Sequence, residues 1–92
     1  MKRSKESFKV KLSPKAKKFL DKLPKNDRDR ILSVLRTLRE NPLSLDMKKL
    51  EGTEFHRVRV GRLYRIVIYI DWENRIIAVF KIDKRERAYD RL

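Results

Sequence analysis

The sequence predicts an α+β fold of order β-α-α-β-β-β, with a helical hairpin packed on one face of an antiparallel sheet. Residues 8–12 alternate apolar and basic side chains with period two. Two amphipathic stripes of helical spacing follow. Three runs rich in Val, Ile, Tyr and Phe then come in close order, over residues 54–60, 62–71 and 75–82. Gly61 and Trp72-Glu73-Asn74 separate them, and links that short join only antiparallel neighbours.

Each element has a local cause. Phe8-Lys9-Val10-Lys11-Leu12 reads as a half-buried strand. Ser13-Pro14 supplies an N-cap hydroxyl and a proline at the first helical position, where its missing N–H costs nothing. Ala16, Phe19, Leu20 and Leu23 then share one helix face, with Lys15, Lys17, Lys18 and Lys22 on the other. Pro24 breaks that helix, and Asn26-Asp27-Arg28-Asp29 sets polar and acidic groups where a second would begin. Its stripe is Ile31, Val34, Leu35 and Leu38, and Asn41-Pro42 ends it, because a residue before proline avoids the helical region. Residues 42–52 lose all period and read as a loop, and residues 84–92 as a charged tail or short turn.

Ninety-two residues without repeats or low-complexity tracts make one domain, residues 1–92. Lys plus Arg number 26 against 13 acids, a formal net charge of +13 that points to a polyanionic partner. Solvated lysine, as in thermophile proteins, is the alternative source of such an excess, and the absence of Cys and Gln agrees with a hot habitat. Without cysteine there is no disulfide frame, no thiolate zinc site and no thiol nucleophile. No apolar run is long enough for a membrane span or a signal peptide, so the expected compartment is the cytoplasm. His56 has no second histidine to share a zinc ion or acid–base cleavage, and alternation turns it away from Arg57 and Arg59, so it reads as structural. Two glycines cannot build a phosphate-cradling loop.

Alternation sorts the strand side chains. Val58 and Val60 oppose Arg57 and Arg59; Tyr64, Ile66, Ile68 and Ile70 oppose Leu63, Arg65, Val67 and Tyr69; Ile77, Val79 and Lys81 oppose Ile76, Ala78, Phe80 and Ile82. The strand carrying Arg65 is apolar on both faces and should be central. An arginine there needs an anion, either an internal one such as Asp83 or Glu86, or a bound ligand. Several guanidiniums on one sheet face can hold a phosphate by forked hydrogen bonds and stabilise the charge that grows during transfer. For RNA the neighbouring 2′-hydroxyl can serve as nucleophile, while Tyr64, Tyr69 or Tyr89 could stack on a base or move a proton.

Lys49-Leu50-Glu51-Gly52, the run from Phe55 through Arg57, Arg59, Gly61, Arg62, Tyr64 and Arg65 to Val67, then Lys84-Arg85 and Tyr89, resemble the RelE/ParE superfamily of toxins along nearly the whole chain. The resemblance implies a ribosome-dependent messenger RNA endonuclease that acts in the A site without metal or cofactor. It also implies a RelB-like acidic antitoxin bound in a hetero-oligomer. By position it makes Arg65 and Arg85 the phosphate-stabilising arginines and Tyr89 the base-stacking tyrosine, and it sets Arg57 and Arg59 where well-studied RelE members carry lysines. Lys48, Lys49, Arg62, Lys81, Lys84 and Arg87 are the further expected RNA contacts. An arginine stays charged in proteins and cannot be the base, which leaves Lys81, Lys48 or Tyr89, or a group outside the protein. The rivals are a ParE-like gyrase inhibitor that cuts nothing and a passive RNA- or ribosome-binding module.

Overall fold

The structure, a computed structural model, describes residues 7–44 and 46–84. Its elements are β1 (Lys9–Leu12), α1 (Pro14–Asp21), α2 (Lys25–Glu40), a 3₁₀ turn (Pro42–Ser44), β2 (Met47–Lys49), β3 (His56–Val60), β4 (Tyr64–Asp71) and β5 (Ile76–Lys84). Ser13 caps α1 as the sequence predicts: its backbone is extended, its Oγ accepts the Ala16 N–H at 3.0 Å, and Pro14 takes the first helical position. Pro24 proves to be the N-cap of α2, with Asp27 in the first turn, and Asn41 ends that helix.

The five strands lie in the order β1-β5-β4-β3-β2. β2, β3, β4 and β5 are antiparallel to one another in sequence, but β1 lies parallel to β5, so the sheet is mixed and the all-antiparallel expectation is corrected. The short links argue only for the last three strands. β1 meets β5 across the whole intervening chain, long enough for the crossover a parallel pair requires. β2 is a further correction, since a strand of three residues is too short to show any period in the segment read as loop.

One face of the sheet is closed by the helices. Ala16, Leu20, Ile31, Leu35 and Leu38 join Val58, Val60, Tyr64, Ile66, Ile68, Ile70, Ile77, Val79 and Ile82 in one buried cluster, with Phe19, Leu23 and Val34 packed against it. Phe8 belongs to the same cluster; Arg75 lies over its ring at 4.6 Å and Trp72 meets it edge-on. Both helical stripes therefore face the core as predicted, and β4 is central.

Alternation fails at one place. In the β4–β5 pairing Val67 opposes Lys81 while Ile68 opposes Val79, so Phe80 is the extra residue of a β-bulge. The bulge resets the pleat: Ile82 turns into the core at 3% exposure, and Lys81 leaves the face it would have shared with Ile77 and Val79. Ser13 holds the bulged backbone, its N–H donating to the Val79 carbonyl at 3.0 Å and its hydroxyl to the Phe80 carbonyl at 2.7 Å.

The sheet is fastened to α2 by Tyr64, whose buried ring meets Phe19 edge-on and whose hydroxyl donates to Asp27 at 2.8 Å. Burial, and then the bond to the Asp27 carboxylate, raise the phenol above its ordinary value. The folded state thus keeps this proton more tightly than the unfolded chain, so the contribution is whole below the usual tyrosine range of ~10 and fades as the pH climbs through the raised value. Tyr64→Phe should cost about 1–3 kcal/mol at neutral pH. In urea unfolding, the gap between wild type and variant should narrow once the pH passes about 10; a gap independent of pH would refute the linkage.

Candidate functional site

The open face of the sheet is built from what the core rejects. Cross-strand register sets its residues in rows. Arg59 stands opposite Arg65, which stands opposite Asp83. In the next row Lys48 faces Arg57, Arg57 faces Val67 and Val67 faces Lys81. Beyond that Tyr69 faces Ala78, which faces Lys11. Five cations, Lys48, Arg57, Arg59, Arg65 and Lys81, thus occupy two adjacent rows.

Among the described residues two carboxylates answer them. Asp83 accepts from Arg65 Nη2 at 3.3 Å and lies 3.5 Å from Lys81 Nζ. Asp46 lies 3.9 Å from Arg57 Nη1 and 3.7 Å from Arg59 Nη1, beyond hydrogen-bond reach. Part-exposed pairs of this kind are worth roughly 0–1 kcal/mol, less than a forked arginine–phosphate contact can offer. The internal ion pair foreseen for Arg65 is therefore present but incomplete: its Nε is buried with no hydrogen-bond partner among the described residues. The same holds for Nη1 of Arg57, a side chain only 13% exposed. Arg57 also lines a recess of about 730 Å³ with Lys48, Lys49, Leu50, Glu51 and Gly52.

A guanidinium directly opposite another is a destabilising cross-strand pair. Arg59 and Arg65 form one, and among the described residues only outlying carboxylates offset it, an arrangement that an arriving phosphate would relieve from both sides; Glu86, the other expected partner of Arg65, lies outside the described residues. Two groups among the described residues have shifted pKa values, Tyr64 and Asp71, and both serve the fold. Asp71 is lowered by its side-chain bond to Asn74 in the β4–β5 turn.

Of the residues expected from sequence, the register gathers Arg57, Arg59, Arg65, Lys48 and Lys81. Arg62 is exposed in the β3–β4 turn, Lys49 alternates to the other side of β2, and Lys84 ends β5 opposite Tyr64, so these three stand outside the rows. Leu63 is likewise in the turn rather than beside Arg65. Arg85, Arg87 and Tyr89 lie outside the described residues. His56 faces the core side, as alternation requires. Asp46, Lys11, Phe55 and Phe80 were missed. Only Phe80 had a signal, the three-residue step between the apolar residues Val79 and Ile82 where the strand period asks for two.

Known proteins share the fold that carries this face. Residues 10–89 match the family model described as the ParE toxin of type II toxin–antitoxin systems. A candidate toxin RelE1 of Methanocaldococcus jannaschii is 35% identical over 86 residues, 89% of this chain and 94% of that protein. The RelE–RelB complex of Pyrococcus horikoshii superposes with a TM-score of 0.77 at 31% identity, covering 88% of this chain and 98% of the solved one. For the RelBE2 complex of Mycobacterium tuberculosis the TM-score is 0.76 at 26% identity, covering 86% and 99%.

The pairing of Arg65 with Asp83 makes the latter a competitor for any anion. Asp83→Asn should tighten binding of fluorescein-labelled oligouridine and steepen the log–log salt dependence by about 0.7, one added phosphate contact on a single strand. Anisotropy titrations across a salt series measure this, and an unchanged slope with unchanged affinity would show that Arg65 takes no part.

Proposed function

This chain belongs to the RelE/ParE toxin family of type II toxin–antitoxin systems, and from that premise we propose that it is a messenger RNA endoribonuclease acting in the ribosomal A site. The observation that carries the reading is the facing pair Arg59 and Arg65 within a field of five cations, two of whose guanidiniums keep a buried nitrogen without a hydrogen-bond partner among the described residues. A backbone phosphate displaces Asp83 from Arg65 and takes up donors from Arg59 as well. The 2′-oxygen attacks the adjacent phosphorus, the bond to the 5′-oxygen breaks, and the products are a 2′,3′-cyclic phosphate and a 5′-hydroxyl end. Arg65 and Arg59 stabilise the charge that accumulates on the phosphoryl oxygens. No step calls for a metal.

The remaining roles rest on the resemblance. Arg85 supplies the second phosphate-stabilising guanidinium and Tyr89 stacks on the substrate base. Arg57 and Lys48 hold the flanking backbone from the recess beside β2, and Lys49, Arg62, Lys84 and Arg87 add longer-range attraction. The 2′-proton passes to water, and Lys81, an ammonium in the row next to Arg65, is the described side chain best placed to protonate the departing 5′-oxygen. Several solved neighbours are toxin–antitoxin complexes, that of Pyrococcus horikoshii with RelB among them, and a RelB-like acidic antitoxin folding over these cations gives the silenced state of this toxin as a hetero-oligomer.

Incubation with programmed ribosomes and mapping of message ends tests the proposal. Arg65→Ala and Arg85→Ala should each lower the cleavage rate about a hundredfold or more while leaving the far-ultraviolet circular dichroism intact. Undiminished cleavage in both would refute the assignment. The family description names ParE, so a gyrase-directed toxin is the second reading; it predicts an uncut message and slowed DNA supercoiling by gyrase with the same protein.

A further inference from the structure

Phe55, Tyr69 and Phe80 form an aromatic cluster on the cationic face that no step of the proposed cleavage uses. Phe55 lies 5.2 Å from Phe80, tilted by 35°, and 6.4 Å from Tyr69, centroid to centroid. Phe80 is 49% exposed and Tyr69 42%, so the cluster is far from closed. The exposure of Phe80 is enforced, because the bulge that Ser13 anchors makes it the unmatched residue between Val79 and Lys81. Cations frame the cluster: Lys11 beyond Ala78 in the row of Tyr69, and Lys81 and Arg57 in the row beside it.

We propose that this cluster is a stacking platform for the unpaired bases of single-stranded RNA, flanking the phosphate held at Arg65. Charge complementarity selects the occupant. The core of a protein docking site is depleted of charged residues, whereas rings interleaved with cations suit a strand whose bases stack while its phosphates pair. Arg65 and Tyr69 are four residues apart on β4, roughly 13 Å at the usual rise, so the platform takes a neighbouring base and not the one at the broken bond. It would give the toxin a sequence-tolerant grip on RNA, since every base presents a π face.

The inference rests on reading the open face as an RNA site, yet it is tested apart from cleavage, with the full chain and no ribosome. Fluorescein-labelled oligoadenosine and an abasic strand of equal length are titrated over a salt series. Wild type should prefer the base-bearing strand by about tenfold. Phe80→Leu and Tyr69→Leu, which keep an apolar side chain at each exposed position, should erase most of that preference without changing the salt slope. Lys81→Ala should lower the slope by about 0.7 on both strands. Equal affinity of wild type for the two strands, or an unchanged preference in both leucine variants, overturns the platform. So does a loss in those variants confined to binding of an acidic antitoxin peptide, which would make the cluster a protein contact. An uncut message on ribosomes, by contrast, would refute the nuclease and leave these titrations standing.

Discussion

The bulge at Phe80 governs how this small sheet is used. β5 must bury Ile77, Val79 and Ile82 against the helices, and strict alternation cannot deliver all three to one face. One inserted residue reconciles them and so decides which side chains are left for the other face: Lys81 and Asp83 come to stand in line with Val67 and Arg65. The irregular backbone is secured by Ser13, which at the same time starts α1. Loss of such a cap generally costs about 0.5–2 kcal/mol, and here one hydroxyl ties the entry of a helix to the geometry of the open face.

On that face electrostatics and stability pull in opposite directions. Facing guanidiniums repel, and their carboxylate neighbours stand at 3.3 and 3.7 Å with partial solvent access, so they offset little of it. The deficit is tolerable because the opposite face carries the core, including a β4 buried from Tyr64 to Ile70 save for Arg65 and Tyr69. The helices and the strand interiors hold the fold, which frees the second face for a partner that is not part of it. In the proposed cleavage, Asp46 and Asp83 are the resting counter-ions that the incoming phosphate would replace.

Much of this was legible in the residues. The helical stripes, the cap at Ser13, the central place of β4 and the common face of Arg57, Arg59 and Arg65 all follow from periods of 3.6 and 2 that hold over several residues. What escaped are features with no period to read. β2 is three residues long, the parallel neighbour of β5 is set by a crossover rather than a turn, and Asp46 reaches its arginines from a loop. The wrong face for Lys81 has the same root, because a periodicity argument carries its phase forward until something signals a slip. The three-residue gap from Val79 to Ile82 was that signal.

The parallel pairing of β1 with β5 orders events in time. Lys9 is matched to Ile76 and Leu12 to Val79, so the first strand has no strand neighbour until nearly all of the described chain has been synthesised. The carbonyls that Ser13 engages emerge only then. Contacts so remote in sequence carry the largest loop-closure penalty and favour late formation. A nascent chain therefore leaves the tunnel with its helices and hairpins available and the lysine-bearing edge still unpaired.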